Sequence, residues 1–498
     1  MTELRRFNPW TLLSIALMTF GASGYAVAQS RGAGVQEEID VNLVELVVRA
    51  EHLSGKTLRG LTRGDFVVHE NGRRQTIDSI EEVDLNAMNA DEQQANRSRF
   101  MILLDFKNTE FVSMRPMFKN LREFATIYDH GSSELGLAIN GDGIVEIQPF
   151  TKDRDAFLTA IDRAENYYHN SRYRNTRSYH MDHRLRHHRG FFPNYLGHYG
   201  HLGRPVLGPE HLNPNHYRQE LEILGQFVNY LGAYSGRKDL LLISNPWDLG
   251  SRDDTEGASN QPEVLSIKDI QTTALFNKVS VNVLSLEPHE NIAAGRFGRI
   301  RNDNYFDRTS EIAANTAGVF YRVQGGAVPK MLERVNEEIN HYYRIRYYSN
   351  AQNDRYRRVQ VKVKGITKLA NHFAGYYPQS ALIPAQTVGG VLRGNADEMA
   401  LAVNAEWMAW THAGWKKRRA NVAVSYRAYD ENGVLIAEQV KAAEMRVKKR
   451  RGAYTYPILA QKVAFNWADG QQPAWIEATV VDLTSGERVF VKNNLASF

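Results

Sequence analysis

Apolar and polar residues alternate from Ile39 to Val83, in the runs IDVNLVELVV, FVVHE and RRQTIDSI. Period-two alternation is the mark of half-buried strands, and it predicts a small β unit over residues 39–84. Asn71-Gly72 stands between the last two runs, where both residues tolerate the positive φ of a two-residue hairpin turn. From Arg99 the pattern changes. RFMILLD is continuously apolar, as a strand covered on both faces must be. A helix should follow, with Pro116 in its first turn and Met117, Leu121, Ala125 and Tyr128 on one face. ELGLAI and IVEIQPF then flank a turn at 140–143, and DRDAFLTAIDRA reads as a short helix. Tyr217 to Tyr234 reads as a longer helix stopped at Gly236. KDLLLIS, a helix over 266–278, SVNVLSL, and helices at Ser310–Gly318 and Val328–Ile339 around VFYRV complete the series. Alternating strands and helices predict a doubly wound, Rossmann-like α/β domain over 97–341.

After Tyr342 the β period returns. YYRIRYY and the alternating Val359, Val361 and Val363 predict strands over 342–378. Neither this segment nor 39–84 is long enough to bury a good core alone, so the two are expected to combine into one module. Residues 379–398 read as a linker, and 399–498, with turns at Asn432-Gly433, Asp469-Gly470 and Ser485-Gly486, as a β-sandwich.

Composition narrows the classes. Of 498 residues, 43% are hydrophobic and 23% charged, which is ordinary for a folded chain. The absence of cysteine excludes a thiol nucleophile, a Cys-ligated zinc and a disulfide framework. Arg5 and Arg6, the apolar stretch at 10–20 and the small residues Ala26-Val27-Ala28 read as a signal peptide over 1–28. The apolar stretch is shorter than the ~20 residues of a membrane span, and no later stretch resembles one. The mature chain is therefore expected to be secreted or periplasmic without a transmembrane span, an uncleaved anchor being the alternative.

Five stretches, in this order, carry a resemblance: LRGLTRGDFVVHENGRRQTI, MILLDFKNT, GRKDLLLIS, EEINHYYRIRYY with RYRRVQVKVK, and FAGYY. Together they resemble the VWFA-related family of bacterial secreted proteins, a branch of the von Willebrand factor type A superfamily. The resemblance implies a von Willebrand A-like ligand-binding domain, of a kind that is usually not an enzyme. It further implies a metal at the tip of the first strand, held by an Asp-x-Ser-x-Ser motif with a Thr and an Asp from later loops. Carried over residue by residue, Asp105 matches the first Asp and Thr109 stands for the second Ser, while Lys107 falls at the first Ser. After the fourth strand Asn245 occupies the Asp position, with Asp248 the nearby carboxylate that could rescue a site. A hard divalent cation wants several oxygen ligands, preferably anionic. This ligand-face set, with Asn108, therefore reads as a degenerate metal site. No cofactor is expected, Mg²⁺ or Mn²⁺ on Asp105 and Thr109 being the open alternative. Asp105 should instead bond the backbone or Thr109, neutralised by Lys107 or an insertion arginine.

The insertion at 166–216 holds nine of the sixteen histidines and seven arginines against Asp182 and Glu210. Three readings stay open: a metal loop through His180, His183, His187 and His188, an anion surface that adds Arg184, Arg186 and Arg189, and a polar loop without a ligand. The runs Lys416–Arg419 and Lys448–Arg451 read either as edge protection or as contacts to an anionic surface. No Gly-x-Ser-x-Gly, phosphate-binding Gly loop or His-Glu-x-x-His is present. The expected function is non-enzymatic binding, of adhesion type, to a protein partner or an anionic cell-surface polymer. Export disfavours nucleic acid. The alternatives are a structural component of an envelope assembly and, last, a metal-dependent hydrolase.

Overall fold

The computed structural model describes residues 42–89, 98–109, 111–128, 133–141, 143–179, 204–205, 216–245, 247, 267–286, 309–323, 328–349, 356–365, 368–376, 390–394, 397–450, 454, 456–465, 467 and 473–494. The expected signal peptide lies outside the described residues, as does the linker up to 389.

In chain order the first strands are β1 (Asn42–His52), β2 (Phe66–Glu70), β3 (Arg73–Gln75) and β4 (Ile77–Asp84). The α/β domain follows with β5 (Ser98–Asp105), α1 (Phe111–Ile127), β6 (Ser133–Asn140), β7 (Ile144–Thr151), α2 (Arg154–Tyr179), β8 (Arg204–Pro205) and α3 (His216–Gly232). It continues through β9 (Arg237–Ser244), α4 (Ile267–Phe276), β10 (Val279–Leu286), α5 (Thr309–Asn315), β11 (Phe320–Val323) and α6 (Val328–Asn340). Then come β12 (His341–Ser349), β13 (Arg357–Val363), β14 (Lys368–His372) and β15 (Gly375–Tyr376). The C-terminal strands are β16 (Gly390–Gly394), β17 (Glu398–Asn404), β18 (Thr411–His412), β19 (Lys417–Tyr429), β20 (Leu435–Lys448), β21 (Ile458–Ala464), β22 (Trp475–Asp482) and β23 (Arg488–Asn494).

The central sheet runs β11-β10-β9-β5-β6-β7-β8. β11, β10, β9, β5 and β6 are parallel, while β7 runs antiparallel to β6 at one edge and the short β8 pairs antiparallel with β7. Its first six strands thus follow the doubly wound order 3-2-1-4-5-6, with the third reversed. Every residue of β5 and of β10 is buried, because helices cover both faces. Met117, Leu121 and Ala125 of α1 pack on one face with α2 and α6, and Leu224, Val228 and Leu231 of α3 pack on the other with α4 and α5.

Two helices depart from the sequence reading. Pro116 lies inside α1 rather than in its first turn, on an exposed position. The short helix at DRDAFLTAIDRA continues to Tyr179, for 26 residues in all. No Gly or Pro interrupts it, and Tyr168 anchors the extension against Phe106, their ring centroids 4.5 Å apart. Residues 166–179 of the histidine-rich insertion are therefore helical.

Strands from both flanks of the α/β domain pair with each other. One sheet runs β14-β1-β12-β4, with Asn42 opposite Ser349, and the other runs β15-β13-β2-β3. Val48, Val68, Tyr343, Ile345 and Val361 share the core between them. Asn71 and Gly72 turn β2 into β3 with φ of 48° and 81°, the left-handed pair that such a hairpin demands. The C-terminal strands form a three-stranded sheet, β16-β17-β21, and a larger one of β18, β19, β20, β22 and β23. Leu401 and Val463 of the first meet Val424, Tyr426 and Val480 of the second in one core. The larger sheet also lays Ala423, Val440 and Val481 against the α3 side of the α/β domain.

Both β regions grip the α/β domain where its strands begin. Arg49 of β1 is buried in an ion pair with Asp239, which Arg237 also meets at 2.9 Å. On the other flank Arg99 joins Glu134 at 2.8 Å and Glu438 of β20 at 2.6 Å, and Arg427 of β19 closes on Glu438 at 2.7 Å. Burial alone would raise the Glu438 carboxyl, but Arg99 and Arg427 outweigh it and hold it below the usual carboxylate range. Asn229 of α3 donates to the Leu483 carbonyl at 2.9 Å. The opposite end of the sheet carries the residues singled out for binding.

Candidate functional site

β5, β6 and β9 end side by side. Asp105 closes β5, Asn140 stands opposite it at the end of β6, and Ser244 closes the neighbouring β9. The chain leaves β5 through a tight turn, fixed by Lys107 N–H donating to the Asn140 carbonyl at 3.1 Å. Asn108 is thereby folded back over the strand end.

Asp105 is fully buried, and five donors converge on its carboxyl group. Oδ1 accepts from the Asn108 backbone N–H at 3.2 Å and from Asn140 Nδ2 at 3.1 Å. Oδ2 accepts from Asn108 Nδ2 at 2.8 Å, Ser244 Oγ at 2.7 Å and Trp247 Nε1 at 2.9 Å. Trp247 Nε1 also lies 3.0 Å from Ser244 Oγ, so hydroxyl and indole are held together against the same oxygen. Each carboxylate oxygen offers about two lone-pair directions, so these contacts occupy all of them. All five donors are uncharged.

Thr109 and Asn245 are bound to one another. The Asn245 N–H donates to Thr109 Oγ1 at 3.2 Å, and Asn245 Nδ2 donates to the Leu286 carbonyl at 3.0 Å. Of the expected alternatives, Asp105 takes the backbone, through the Asn108 N–H, and not Thr109, and Lys107 is not among its partners. The physical reason is the turn. It aims the Asn108 amide inward, while Thr109 faces the end of β9. Asp248 lies outside the described residues, as do His180, His183, His187, His188, Arg184, Arg186 and Arg189.

These residues do not fit a divalent cation. Mg²⁺ and Mn²⁺ need free oxygen lone pairs, Mg²⁺ at about 2.0–2.1 Å. Here N–H and O–H hydrogens point at the lone pairs of the Asp105 carboxylate, and the indole and amide nitrogens that deliver them offer no lone pair in return. No group of three or more His, Asp or Glu positioned for a metal occurs among the described residues.

Asn140, Ser244 and Trp247 were not singled out from the sequence. Asn140 was visible only as the start of a turn, Ser244 as the last residue of an apolar strand, and Trp247 as the aromatic inside NPWD. What unites them is the parallel register of three strands distant in the chain.

Strand order and the place of Asp105 at the end of the first central strand give a doubly wound α/β domain, the fold that the resemblance to von Willebrand A domains implies. No family profile matches the chain, and no curated protein is similar to it in sequence. Among solved structures it is similar to an aerotolerance-related membrane protein from Bacteroides fragilis (13% identity, 49% of this chain and 98% of that one, TM-score 0.27). It is also similar to the von Willebrand factor domain of a type V pilus tip protein from Porphyromonas gingivalis (9% identity, 49% and 95%, TM-score 0.27). A third is the manganese-loaded TRAP protein of Plasmodium vivax (10% identity, 63% and 100%, TM-score 0.26). No helix among the described residues is long and apolar enough to cross a membrane.

Proposed function

We propose that this chain is a secreted or periplasmic binding protein of adhesion type, without catalytic turnover, that recognises a protein partner through the end of the sheet at Asp105. The observation that carries the reading is the carboxyl group itself. It stands at the C-terminal edge of the central strands, where open α/β sheets bind ligands, and five uncharged donors consume it. A carboxylate so occupied serves neither as a general base nor as a metal ligand. It organises the turn at 106–109, where Lys107 and Asn108 are half-exposed on the face proposed to meet a partner. On this reading the metal function has been replaced by a fixed polar scaffold, and the C-terminal strands are a β-sandwich that braces it.

The second reading is a structural component of an envelope assembly with no exchangeable ligand. The buried ion pairs that join both β regions to the α/β domain favour it, because they fix the regions as one body. Capture from envelope extracts on the immobilised chain separates the two. The binding reading expects a partner retained in the presence of chelator and lost from Lys107→Glu. Retention that requires a divalent ion contradicts the scaffold, and no Lys107-dependent partner favours the structural role.

A further inference from the structure

The two basic runs of the C-terminal strands, far apart in the chain, meet at one end of a sheet. β19 and β20 pair so that Lys417 stands opposite Lys448 and Arg419 opposite Arg446, and the Lys449 N–H donates to the Lys416 carbonyl at 2.7 Å. Like charges directly opposite one another weaken a strand pair. Lys416, Lys417, Arg446, Lys448, Lys449 and Arg450 are all exposed. Arg446 pairs with Glu444, whereas Lys416, Lys417, Lys448, Lys449 and Arg450 have no carboxylate partner among the described residues. The segments 411–419 and 446–450 together carry eight Lys and Arg and no Asp or Glu.

An indole projects from the same place. Trp415 occupies the tight turn between β18 and β19, closed by the Lys417 N–H donating to the Gly414 carbonyl at 3.1 Å. At 84% exposure it is the most exposed large apolar side chain among the described residues. Lys416 adopts a φ of 57°, a conformation that side chains other than Gly rarely take, and its ammonium sits 4.1 Å from the centre of the Trp415 ring. Behind the tip, Arg418 lies 4.6 Å from the Tyr454 ring, and the Trp410 and Tyr456 rings are 5.1 Å apart.

Guarding an edge strand accounts for Lys448, the last residue of β20, which among the described strands pairs with β19 alone, and for Lys449 just beyond it, but gives no reason to expose an indole. A soluble polyanion would engage the cations and leave the indole in water. A bilayer engages both: indoles settle at the headgroup level, and clustered Lys and Arg are drawn to anionic headgroups. We propose that this end of the C-terminal sheet, with Trp415 at its tip and the two basic runs around it, docks on an anionic lipid bilayer surface. The surface belongs to a different part of the fold from the Asp105 face, and the proposal stands apart from the function assigned to that face.

The test is tryptophan emission of the full chain on titration with vesicles. Anionic vesicles of phosphatidylglycerol and phosphatidylethanolamine are compared with neutral phosphatidylcholine vesicles. The chain has seven tryptophans, so the Trp415 contribution is the difference between the chain and Trp415→Phe. That difference also removes any effect of the apolar segment at 10–20, which is unchanged in the variant. The expected result is a blue shift of Trp415 on anionic vesicles alone, reversed by high salt. Neutralising one cation should weaken binding about fivefold, and the Lys416→Gln/Lys417→Gln pair about 25-fold. Lys448→Gln on the partner strand repeats the test outside the turn, should the turn variant fail to fold. An unshifted Trp415 on anionic vesicles overturns the proposal, as does an equal shift on neutral ones. Stronger binding to polyphosphate than to vesicles at equal phosphate concentration also overturns it, in favour of a soluble polyanion.

Discussion

Asp105 and Asp239 are both fully buried, stand at opposite ends of neighbouring strands in one sheet, and are held by opposite means. Asp239 lies where the strands begin and meets two arginines, Arg49 from β1 and Arg237 from its own strand. Asp105 lies where the strands end and meets five donors without charge. The difference follows from what each end does. The Asp239 end is sealed by another module, so a buried charge there must bring its counter-charge along. At the Asp105 end the carboxyl group shapes a turn, for which directed hydrogen bonds are better suited than a cation.

The largest effect should come from breaking the charged end. Arg49→Met leaves Asp239 with Arg237 alone and removes the grip on Asn282. Breaking one side of a buried ion pair costs about 3–5 kcal/mol, read as a fall in the denaturant midpoint. Burial also lowers the Arg49 pKa, with Asp239 opposing it, and the cation is retained because the partner is there. The neutral end should lose less. Trp247→Phe removes one donor to Asp105 and keeps the apolar ring, for a loss of about 1–2 kcal/mol. A cost at Trp247 equal to that at Arg49 would erase the contrast.

Acid sharpens the comparison further. The Glu438 carboxyl is held below its usual range by Arg99 and Arg427, which prevail over burial. Its unfolded value is near 4.3, so its contribution is fully present above that pH and is lost as pH falls through the lower folded value. Denaturant midpoints measured from neutral pH downward should therefore fall less steeply for Glu438→Gln than for the unaltered chain. The smallest effect is expected at Lys238. Burial, then the neighbouring Arg488, Arg99 and Arg427, push its pKa well down, and its ammonium meets the Tyr234 carbonyl at 3.0 Å. Lys238→Met should leave stability within about 1 kcal/mol, or raise it, because a crowded cation is removed from among arginines. A large loss would show that the ammonium is a needed member of the charged end.

The central sheet was legible in the sequence because its strands are covered on both faces. RFMILLD and SVNVLSL announce that burial without any partner being known. The length of α2 was not legible, since Asn166–Tyr179 lacks a regular apolar stripe and its first turns hold through Tyr167 and Tyr168 packing beside Phe106. At the site, Asp105, Asn108, Thr109 and Asn245 could be picked out because they lie in two short stretches. Their bonding could not, because Asn140, Ser244 and Trp247 reach Asp105 only through strand register. Lys107 looked like the natural counter-charge two residues away, yet the turn that presents Asn108 to the carboxyl group directs the chain otherwise.

The most direct test of the central claim, that hydrogen-bond donors have taken the place of a metal at Asp105, is calorimetric titration. The full chain and its Asp105→Asn variant, which keeps the size of the side chain, are titrated with Mg²⁺, Mn²⁺ and Zn²⁺. The account predicts no heat from Mg²⁺ or Mn²⁺ that depends on Asp105, and any Zn²⁺ binding should survive the substitution. Micromolar binding of Mg²⁺ or Mn²⁺ that disappears in Asp105→Asn would contradict it.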